Sequence, residues 1–270
     1  MTDAGAGEGV PGGGADEAEP GTGTDGTAAP LLAVRGLDAA VEGFQVTEGV
    51  SLTVDRGEAV GLVGRNGAGK TTTFRGIMGL AEVLGGSVEF RGEELTALRP
   101  ELVPKRGIGY QPEDRKLFSG MSVDENFRLP IWSAGDARGI DDEDAVVEGV
   151  YDLLDELDDR RDANVENLSG GQAKMVAIGR ALALDPDLLV LDEPLEGLAP
   201  IVVEKLKGYI EDINDRGIAV LIAESNVTHV PEIVDRLAVI ERGEIVARGD
   251  PEAVVDDDEL TKLMQGSGRE

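Results

Sequence analysis

A glycine-rich turn that follows a short apolar run sets the strongest limit on how this chain folds. The apolar run is Ala59–Val63, residues 64–71 then match G-x-x-x-x-G-K-T, and a helix is predicted over residues 70–78. Glycines let main-chain N–H groups turn toward an anion, and the helix N-terminus adds the positive end of its dipole. The turn therefore predicts a nucleoside triphosphate site. Its candidate residues are Gly64, Asn66, Gly67, Gly69, Lys70, Thr71 and Thr72.

The types of two of these residues indicate separate functions at such a site. Lys70 carries a mobile positive charge suited to the β- and γ-phosphates, and the Thr71 hydroxyl can bind Mg²⁺. The motif is specific for a triphosphate because both flanking elements have the expected pattern. It does not name the reaction.

Two adjacent carboxylates end a second apolar run. Residues 188–191 are all Leu or Val, and Asp192 and Glu193 follow directly. The run predicts a buried strand, and ligands bind at the carboxyl ends of strands in open α/β sheets. We expect Asp192 to hold Mg²⁺ through water and Glu193 to orient or deprotonate the attacking water.

A serine–glycine turn is a second candidate for binding an anion. We call residues 168–172 the signature corner; a helix is predicted from residue 172 to residue 184. A serine hydroxyl and flexible amides at a helix N-terminus offer donors to negative charge. A structural interpretation stays open, in which the serine only caps the helix and the glycines only form the turn. The candidate residues are Ser169, Gly170, Gly171 and Gln172.

The charge of the chain argues against one class of function. The 270 residues include 54 acidic and 25 basic side chains, for a formal net charge of −29. Nonspecific nucleic-acid binding needs lysine and arginine to neutralise phosphates, so no nucleic-acid partner is expected. We interpret the charge as a hydrated acidic surface suited to high salt, where screening weakens self-repulsion. An acidic face for a basic partner is the alternative.

Cysteine and histidine content narrows the chemistry further. There is no cysteine, and His229 is the single histidine, so disulfides, thiolates and a catalytic zinc site are not expected. No apolar run approaches the ~20 residues that span a bilayer, and the N-terminus lacks a secretory pattern. We therefore expect a cytoplasmic chain that reaches a membrane only through another subunit.

The order of apolar runs predicts an α/β fold with a parallel sheet. Residues 1–30 have few apolar side chains to offset the entropy of ordering, which predicts a disordered acidic tail before a domain over residues 31–270. A mostly helical segment, about residues 114–186, would be an inserted lobe. Strands are expected at residues 32–34, 50–54, 59–63, 87–90, 188–191, 218–223, 237–240 and 244–247, and helices at 141–157, 172–184 and 201–215.

The three motifs resemble those of the ABC ATPase family in order and spacing: Walker A at residues 64–71, the signature at 168–172 and Walker B at 188–193. The resemblance covers about residues 31–249. It implies an α/β P-loop ABC ATPase fold with a parallel-sheet core, an antiparallel β lobe and an inserted helical lobe. It also implies ATP and Mg²⁺ as ligands.

The same resemblance implies partners. Two subunits, identical or different, would meet head to tail, with each ATP between one subunit's Walker A and the other's signature. Membrane-spanning permease subunits would dock a short helix in a groove between the core and the helical lobe. The chain would then lie peripherally on the cytoplasmic face of the cell membrane.

Three segments resemble the branched-chain amino acid importer ATPases more closely. They are residues 110–115, 175–182 and 192–200, the last with Ala199 in place of the usual D-loop aspartate. This implies uptake of branched-chain or related amino acids, with an extracellular substrate-binding protein in the same system. Urea or amide uptake, export, and a soluble or regulatory ABC ATPase without transport stay open as alternatives.

Two loops depart from the family pattern. The usual loop glutamine aligns with Glu113, although Gln111 is an alternative, and either could approach Mg²⁺ or the lytic water or be solvated. Ser225 stands where the family carries its switch histidine, and its hydroxyl could donate one hydrogen bond to the γ-phosphate. We expect His229 to be a surface or packing residue rather than a substitute for that histidine.

The adenine-binding position also departs from the family pattern. Val41 lies near the expected aromatic residue, and Phe44 is the nearby aromatic side chain. Stacking on a base is worth about 1–3 kcal/mol in other settings, so Phe44 is a candidate to compensate. Simple packing within the β lobe is the alternative for Phe44.

Overall fold

The computed structural model describes residues 29–265, so all but the last two residues of the predicted tail at 1–30 lie outside it. None of the helices within 29–265 is long and apolar enough to span a bilayer. The strands are β1 Leu32–Val41, β2 Phe44–Val54, β3 Ala59–Val63, β4 Glu82–Phe90, β5 Glu93–Glu94, β6 Ile108–Gln111, β7 Leu188–Asp192, β8 Ala219–Glu224, β9 Arg236–Glu241 and β10 Glu244–Gly249. The helices are α1 Lys70–Ile77, α2 Val123–Arg138, α3 Glu143–Leu153, α4 Gly170–Leu182, α5 Pro200–Asp215, α6 Pro251–Val255 and α7 Asp258–Gln265.

The described strands form two sheets. One has four antiparallel strands in the order β2-β1-β4-β5, and the other has six strands in the order β10-β9-β3-β8-β7-β6. In the larger sheet every pairing is parallel except the hairpin of β9 and β10. Arg242 and Gly243 form the hairpin turn with positive φ angles of 51° and 89°, as tight two-residue turns require. The predicted parallel-sheet core and antiparallel β lobe are confirmed.

The parallel sheet is the middle layer, since its central strands are buried on both faces. In β7, Leu188 and Val190 pack into a core with β1, β2, β4 and α1. Leu189 and Leu191, on the opposite face, pack into a core with α3, α4 and α5. A continuous apolar run is what such a strand needs, because neither face meets water. β3 leads into the phosphate-binding turn and β7 ends in the carboxylates at 192–193, so both features lie at the same edge of the sheet.

The helical segment between β6 and β7 contains α2, α3 and α4, as expected for an inserted lobe, but the helices predicted over 141–157 and 172–184 have different bounds, Glu143–Leu153 and Gly170–Leu182. The helix expected over residues 141–157 ends at Leu153, because Leu154 leaves the helical region at φ −117° and a 3₁₀ segment, Asp155–Arg160, follows. The helix expected from residue 172 begins at Gly170. Its N-cap is Ser169, whose side chain accepts a hydrogen bond from the Gln172 amide.

Candidate active site

The predicted phosphate loop, residues 64–71, leads from β3 into α1 at the carboxyl edge of the parallel sheet. The Gly64 amide donates to the Glu224 carbonyl of β8 at 3.3 Å. A Cβ at Gly64 would lie 2.3 Å from the Ile240 carbonyl oxygen, so only glycine fits between the strands. Gly67 and Gly69 have φ angles of 82° and 112°, which glycine adopts without strain. Crowding by β9 thus explains Gly64, and the positive φ angles explain Gly67 and Gly69.

Lys70 is buried and meets Glu193 directly. Its Nζ lies 3.0 Å from Glu193 Oε1, and both side chains are about 95% shielded from solvent, with relative exposures of 4% and 5%. The same Nζ donates to the carbonyls of Gly64 at 2.6 Å and Arg65 at 3.2 Å. The lysine predicted for the phosphates and the glutamate predicted for the lytic water therefore form one buried ion pair.

Thr71 and Asp192 also meet, as candidates for one metal ion should. Thr71 Oγ1 donates to Asp192 Oδ1 at 3.1 Å, and the Tyr110 hydroxyl donates to Oδ2 at 3.3 Å. Burial is the main reason that the pKa of Asp192 is raised to about 6; the charges of Glu113 and Glu193 contribute to this rise, and the hydrogen bonds from Thr71 and Tyr110 oppose it. Burial and then the charge of Asp192 raise the pKa of Tyr110.

This donor set fits Mg²⁺, which prefers hard oxygen ligands and usually takes one or two carboxylates together with substrate phosphates. Over residues 29–265, no group of three or more His, Cys, Asp or Glu could hold a metal ion. A single carboxylate beside a threonine hydroxyl suits an ion that arrives with a triphosphate. It does not suit a closed site made only of protein ligands.

Glu193 is fixed by contacts to both its side chain and its main chain. Its backbone is left-handed, with φ 50°, a conformation that is strained for a residue with a side chain. Oε2 accepts hydrogen bonds from the Ser225 amide at 3.0 Å and the Ser225 hydroxyl at 3.1 Å. The Glu193 carbonyl accepts a hydrogen bond from the buried Lys174 ammonium, and the Glu193 amide donates to the Ala223 carbonyl at 3.0 Å. Ser225 therefore touches Glu193, and its predicted contact with the γ-phosphate stays a prediction.

Glu224 is a second buried carboxylate behind Glu193. Its Oε1 accepts a hydrogen bond from the Leu195 amide at 2.8 Å. Burial, together with the charge of Glu193, raises the pKa of Glu224 to about 8, and the hydrogen bond from the Leu195 amide opposes this rise. Glu224 therefore keeps its proton at neutral pH and closes the turn that follows Walker B.

Glu113, and not Gln111, reaches the phosphate loop. A cavity of about 260 Å³ is lined by the loop, Val46, Glu113 and Glu193. Gln111 is fully buried in the last position of β6, does not line the cavity, and donates to the carbonyls of Pro112 and, at 3.4 Å, Asp192. Gln111 thus lies apart from the cavity that Glu113 lines, and its role as a metal ligand stays a prediction.

Phe44 stands at the first position of β2 with 76% of its surface exposed. The alternative of packing within the β lobe is therefore wrong. Phe44 does not line the 260 Å³ cavity, whereas Val46, two residues later, does. Stacking of adenine on Phe44 stays a prediction.

The signature corner lies apart from the phosphate loop of the same chain, since none of its residues lines that cavity. Ser169 Oγ accepts from the Gln172 amide at 3.2 Å, and Gln172 Oε1 accepts from the Ser169 amide at 3.1 Å, which makes a capping box. Ser169 and Gly170 are exposed. A Cβ at Gly171 would lie 2.6 Å from Val202 Cγ1 of α5. Ser169 therefore caps α4, and binding of an anion by the signature corner stays a prediction.

His229 ends a 3₁₀ turn, Val227–His229, and is partly buried. Its Nε2 lies 3.2 Å from Asn226 Nδ2. Its recorded side-chain hydrogen bond is this local one, as expected for a surface or packing residue.

Comparison with known sequences identifies the family. The profile described as ABC transporter matches residues 47–196, which is more than half of the chain and includes all three motifs. The chain belongs to the ABC transporter family. This member is an ABC ATPase, and its fold is the ABC ATPase fold.

Similar proteins include both exporter and importer subunits. The lipopolysaccharide export system ATP-binding protein LptB of Escherichia coli is 35% identical over 237 residues, which cover 87% of this chain and 97% of LptB. The high-affinity branched-chain amino acid transport ATP-binding protein BraG of Pseudomonas aeruginosa is 36% identical over 203 residues, covering 75% of this chain and 85% of BraG. Among solved structures, the ADP conformation of MJ1267, an ATP-binding cassette of an ABC transporter, aligns with a TM-score of 0.75 and 28% identity, covering 89% of this chain and all of that one.

Proposed function

We propose that this ABC ATPase hydrolyses ATP at the cavity beside residues 64–71, with Mg²⁺ held by Thr71 and Asp192. Lys70 would bind the β- and γ-phosphates, and the exposed amides of the phosphate loop would cradle them. The observation that carries this proposal is the cluster at the sheet edge, where Thr71 contacts Asp192 at 3.1 Å and Lys70 contacts Glu193 at 3.0 Å. Bound Mg²⁺ would neutralise phosphate charge.

Glu193 is the proposed general base. In the described state its carboxylate is paired with Lys70. A triphosphate would compete for Lys70 and free one carboxylate oxygen to take the proton of the attacking water. The Ser225 amide and hydroxyl hold the other oxygen, which restricts the rotation of the carboxylate. Glu113, on the cavity wall, is the proposed loop residue that contacts metal-bound or lytic water.

A second copy of the chain, or a related subunit, would complete the site. The tip of the phosphate loop, at Arg65, Asn66 and Gly67, is exposed, as are Ser169 and Gly170 of the signature corner. Exposed main-chain donors at a helix N-terminus suit a phosphate. In a head-to-tail pair each corner would face the partner's nucleotide.

A permease helix would dock in a second groove. A cavity of about 770 Å³ lies between the core and the helical lobe, and its wall is mostly apolar. Leu80, Phe118 and Trp132 line it and are each about half exposed, at 54%, 49% and 57%. Apolar side chains that are left open around a groove suit the apolar face of a short helix. Such docking would hold the chain at the cytoplasmic face of the membrane.

For the transported substrate we propose uptake of branched-chain or related amino acids with the help of an extracellular binding protein. Support comes from residues 110–115, 175–182 and 192–200 and from the 36% identity with BraG. Export is the second candidate, because the similarity to LptB extends over 97% of that protein. Vesicles that contain the chain and its permease would decide between import and export. ATP-dependent uptake of leucine would support import, and ATP-dependent transport of substrate in the opposite direction would assign export.

The hydrolysis proposal has a direct test. The purified chain should release phosphate from ATP only when Mg²⁺ is present, and Thr71→Val should lose most of that activity, because the variant keeps the shape of the side chain but has no hydroxyl. Thr73→Val, on the same helix but with its hydroxyl bonded to the Gly69 carbonyl, is the matched control for stability. Phosphate release that does not depend on Mg²⁺, or a fully active Thr71→Val variant, would contradict the metal assignment.

A further inference from the structure

Lys174 is a buried cation that the proposed mechanism has not yet used. It lies in the second turn of α4, and only 2% of its surface is exposed. Burying an ammonium group is costly unless it is paired and hydrogen-bonded. Within residues 29–265 no carboxylate lies within 4.0 Å of its Nζ, and its recorded hydrogen-bond acceptor is the main-chain carbonyl of Glu193. A cation that is held this way acts on the backbone of the proposed base.

The backbone at Glu193 needs such a contact. Its φ of 50° is left-handed, and a residue with a side chain keeps that conformation only where neighbouring groups impose it. The Glu193 amide is bonded to the Ala223 carbonyl of β8, and the carboxylate to Ser225 and Lys70. The carbonyl accepts hydrogen bonds from the Lys174 ammonium and, at 3.4 Å, from the Glu196 amide in the same turn. Lys174 thus links α4 to the main chain of the proposed base.

Lys174 also stands on the helix that the signature corner begins. The capping box at Ser169 and Gln172 ties the exposed corner to the first turn of α4, and Lys174 follows within the same rigid helix. Gly171 packs against Val202, so little side-chain space separates the corner from α5. A movement of the corner must therefore move the ammonium group that holds Glu193.

We propose that Lys174 is a positioning residue that couples the signature corner of a subunit to Glu193 of the same subunit. This inference rests on the proposed function, in which the corner binds the nucleotide of the opposite site. ATP at one site would then set the position of the general base at the other site. The coupling predicts cooperative hydrolysis between the two sites, with Lys174 as its physical link.

The test uses two substitutions in the full chain. Lys174→Met removes the donor and keeps the side-chain length, and Lys174→Gln keeps an N–H donor without the charge. Lys207→Met is the matched control. Lys207 is similarly buried, with 6% of its surface exposed, but it pairs with Glu204 of α5 and with Glu232 of the 3₁₀ turn Pro231–Ile233, and not with Glu193. Thermal unfolding of all three identifies any general loss of stability.

We expect Lys174→Met to lower kcat about 10- to 100-fold, since small errors in the position of a catalytic group cost that much. KM and the affinity for a fluorescent ATP analogue should change less than about twofold, because Lys174 does not touch the phosphate loop. The Hill coefficient for ATP should fall toward one. Lys174→Gln should recover most of the rate, and Lys207→Met should keep it.

Two outcomes would overturn the inference. If Lys174→Met is folded and keeps kcat and the Hill coefficient within twofold of the original chain, Lys174 does not position Glu193. If Lys174→Met is unfolded, Lys174→Gln decides, because a folded Lys174→Gln variant whose kcat is still about 10- to 100-fold below that of the original chain shows that the N–H donor is not what matters. These results differ from failure of the proposed function, in which the original chain itself hydrolyses no ATP.

Discussion

The phosphate loop and the signature corner are both turns that open a helix, yet they are built differently. In the phosphate loop, Gly64 is crowded by the β9 backbone and Lys70 is buried against Glu193. In the signature corner, Ser169 and Gly170 face solvent, and the polar groups satisfy one another through a capping box. One turn is fixed by contacts from several strands, and the other depends mainly on its own helix.

This difference indicates which part of the proposed site is complete within one chain and which part needs a second chain. The groups proposed to act in hydrolysis contact one another in pairs within a single chain: Lys70 with Glu193, and Thr71 with Asp192. The corner offers donors but meets no group of this cavity. In the proposed function, the signature corner binds phosphate only when a partner subunit brings its nucleotide to the corner. The predictions that follow test this contrast, beginning with the largest effect.

Glu193→Gln should lower kcat about 10²- to 10⁴-fold, the usual contribution of a positioned general base. ATP affinity should hold or increase, because the variant also removes the ion pair that occupies Lys70. Phosphate release and binding of a fluorescent ATP analogue measure the two effects. Glu196→Gln, an exposed change in the same turn, is the control and should keep normal activity. Near-normal kcat in Glu193→Gln would mean that another group activates water.

Ser169→Asp should separate capping from phosphate binding at the signature corner. Aspartate caps helices as well as serine does, so the melting temperature should stay close to that of the original chain. Its charge should repel a phosphate, and loss of one hydrogen bond to a charged group, roughly 1.5–3 kcal/mol, corresponds to about a 10- to 150-fold fall in ATPase rate. Full activity in a stable Ser169→Asp variant would mean that the corner is only a cap.

Glu224→Gln should change how stability depends on pH. The pKa of Glu224 is about 8 in the folded chain and its ordinary value is 4.5, so the folded chain holds the extra proton between these pH values. The free energy of unfolding should therefore fall as pH rises through this window, by up to about 1.4 kcal/mol per pH unit from this group. Chemical unfolding from pH 5 to pH 9 measures the slope. Glu224→Gln should flatten it, and an unchanged slope would show that Glu224 is not the group responsible.

Salt should stabilise the chain by a smaller amount. The net charge of −29 causes repulsion among exposed carboxylates that molar salt screens, while the buried pair of Lys70 and Glu193 is largely shielded from salt. The melting temperature should rise by a few degrees, at about 2–4 °C per kcal/mol gained. Calorimetry in low and molar KCl measures this. A melting temperature that does not change would favour the alternative that the acidic surface serves a basic partner.

The sequence predicted the parallel core and the residues of the phosphate loop because these depend on short-range patterns. A short apolar run predicts β3, and the glycine-rich turn that follows it places Lys70. A second apolar run predicts β7, which ends at Asp192. The sequence missed Tyr110 and Lys174, whose hydrogen bonds join positions 82 and 19 residues away from them. A tyrosine at the end of a strand beside Walker B, and a lysine in an otherwise apolar stretch of α4, were the available signals.

Other features depend on the packing of whole elements. Gln111 and Glu113 differ by two positions, and only the end of β6 at Gln111 decides which side chain turns into the core. Nothing local indicates that Phe44 is exposed at the start of β2 rather than packed in the lobe. The end of α3 at Leu153 likewise depends on the backbone of the next residue, since the apolar stripe continues beyond it.

The central claim, that the phosphate loop of one chain faces the signature corner of another, can be tested by crosslinking. The sequence contains no cysteine, so Arg65→Cys and Ser169→Cys introduce the only thiols, one at each exposed turn. The two variants, each with Glu193→Gln, are mixed and treated with a short bismaleimide. A covalent dimer that forms with ATP and Mg²⁺ but not without nucleotide is the predicted result. If the dimer is absent under both conditions while ATP binding is retained, the account of a shared site is contradicted.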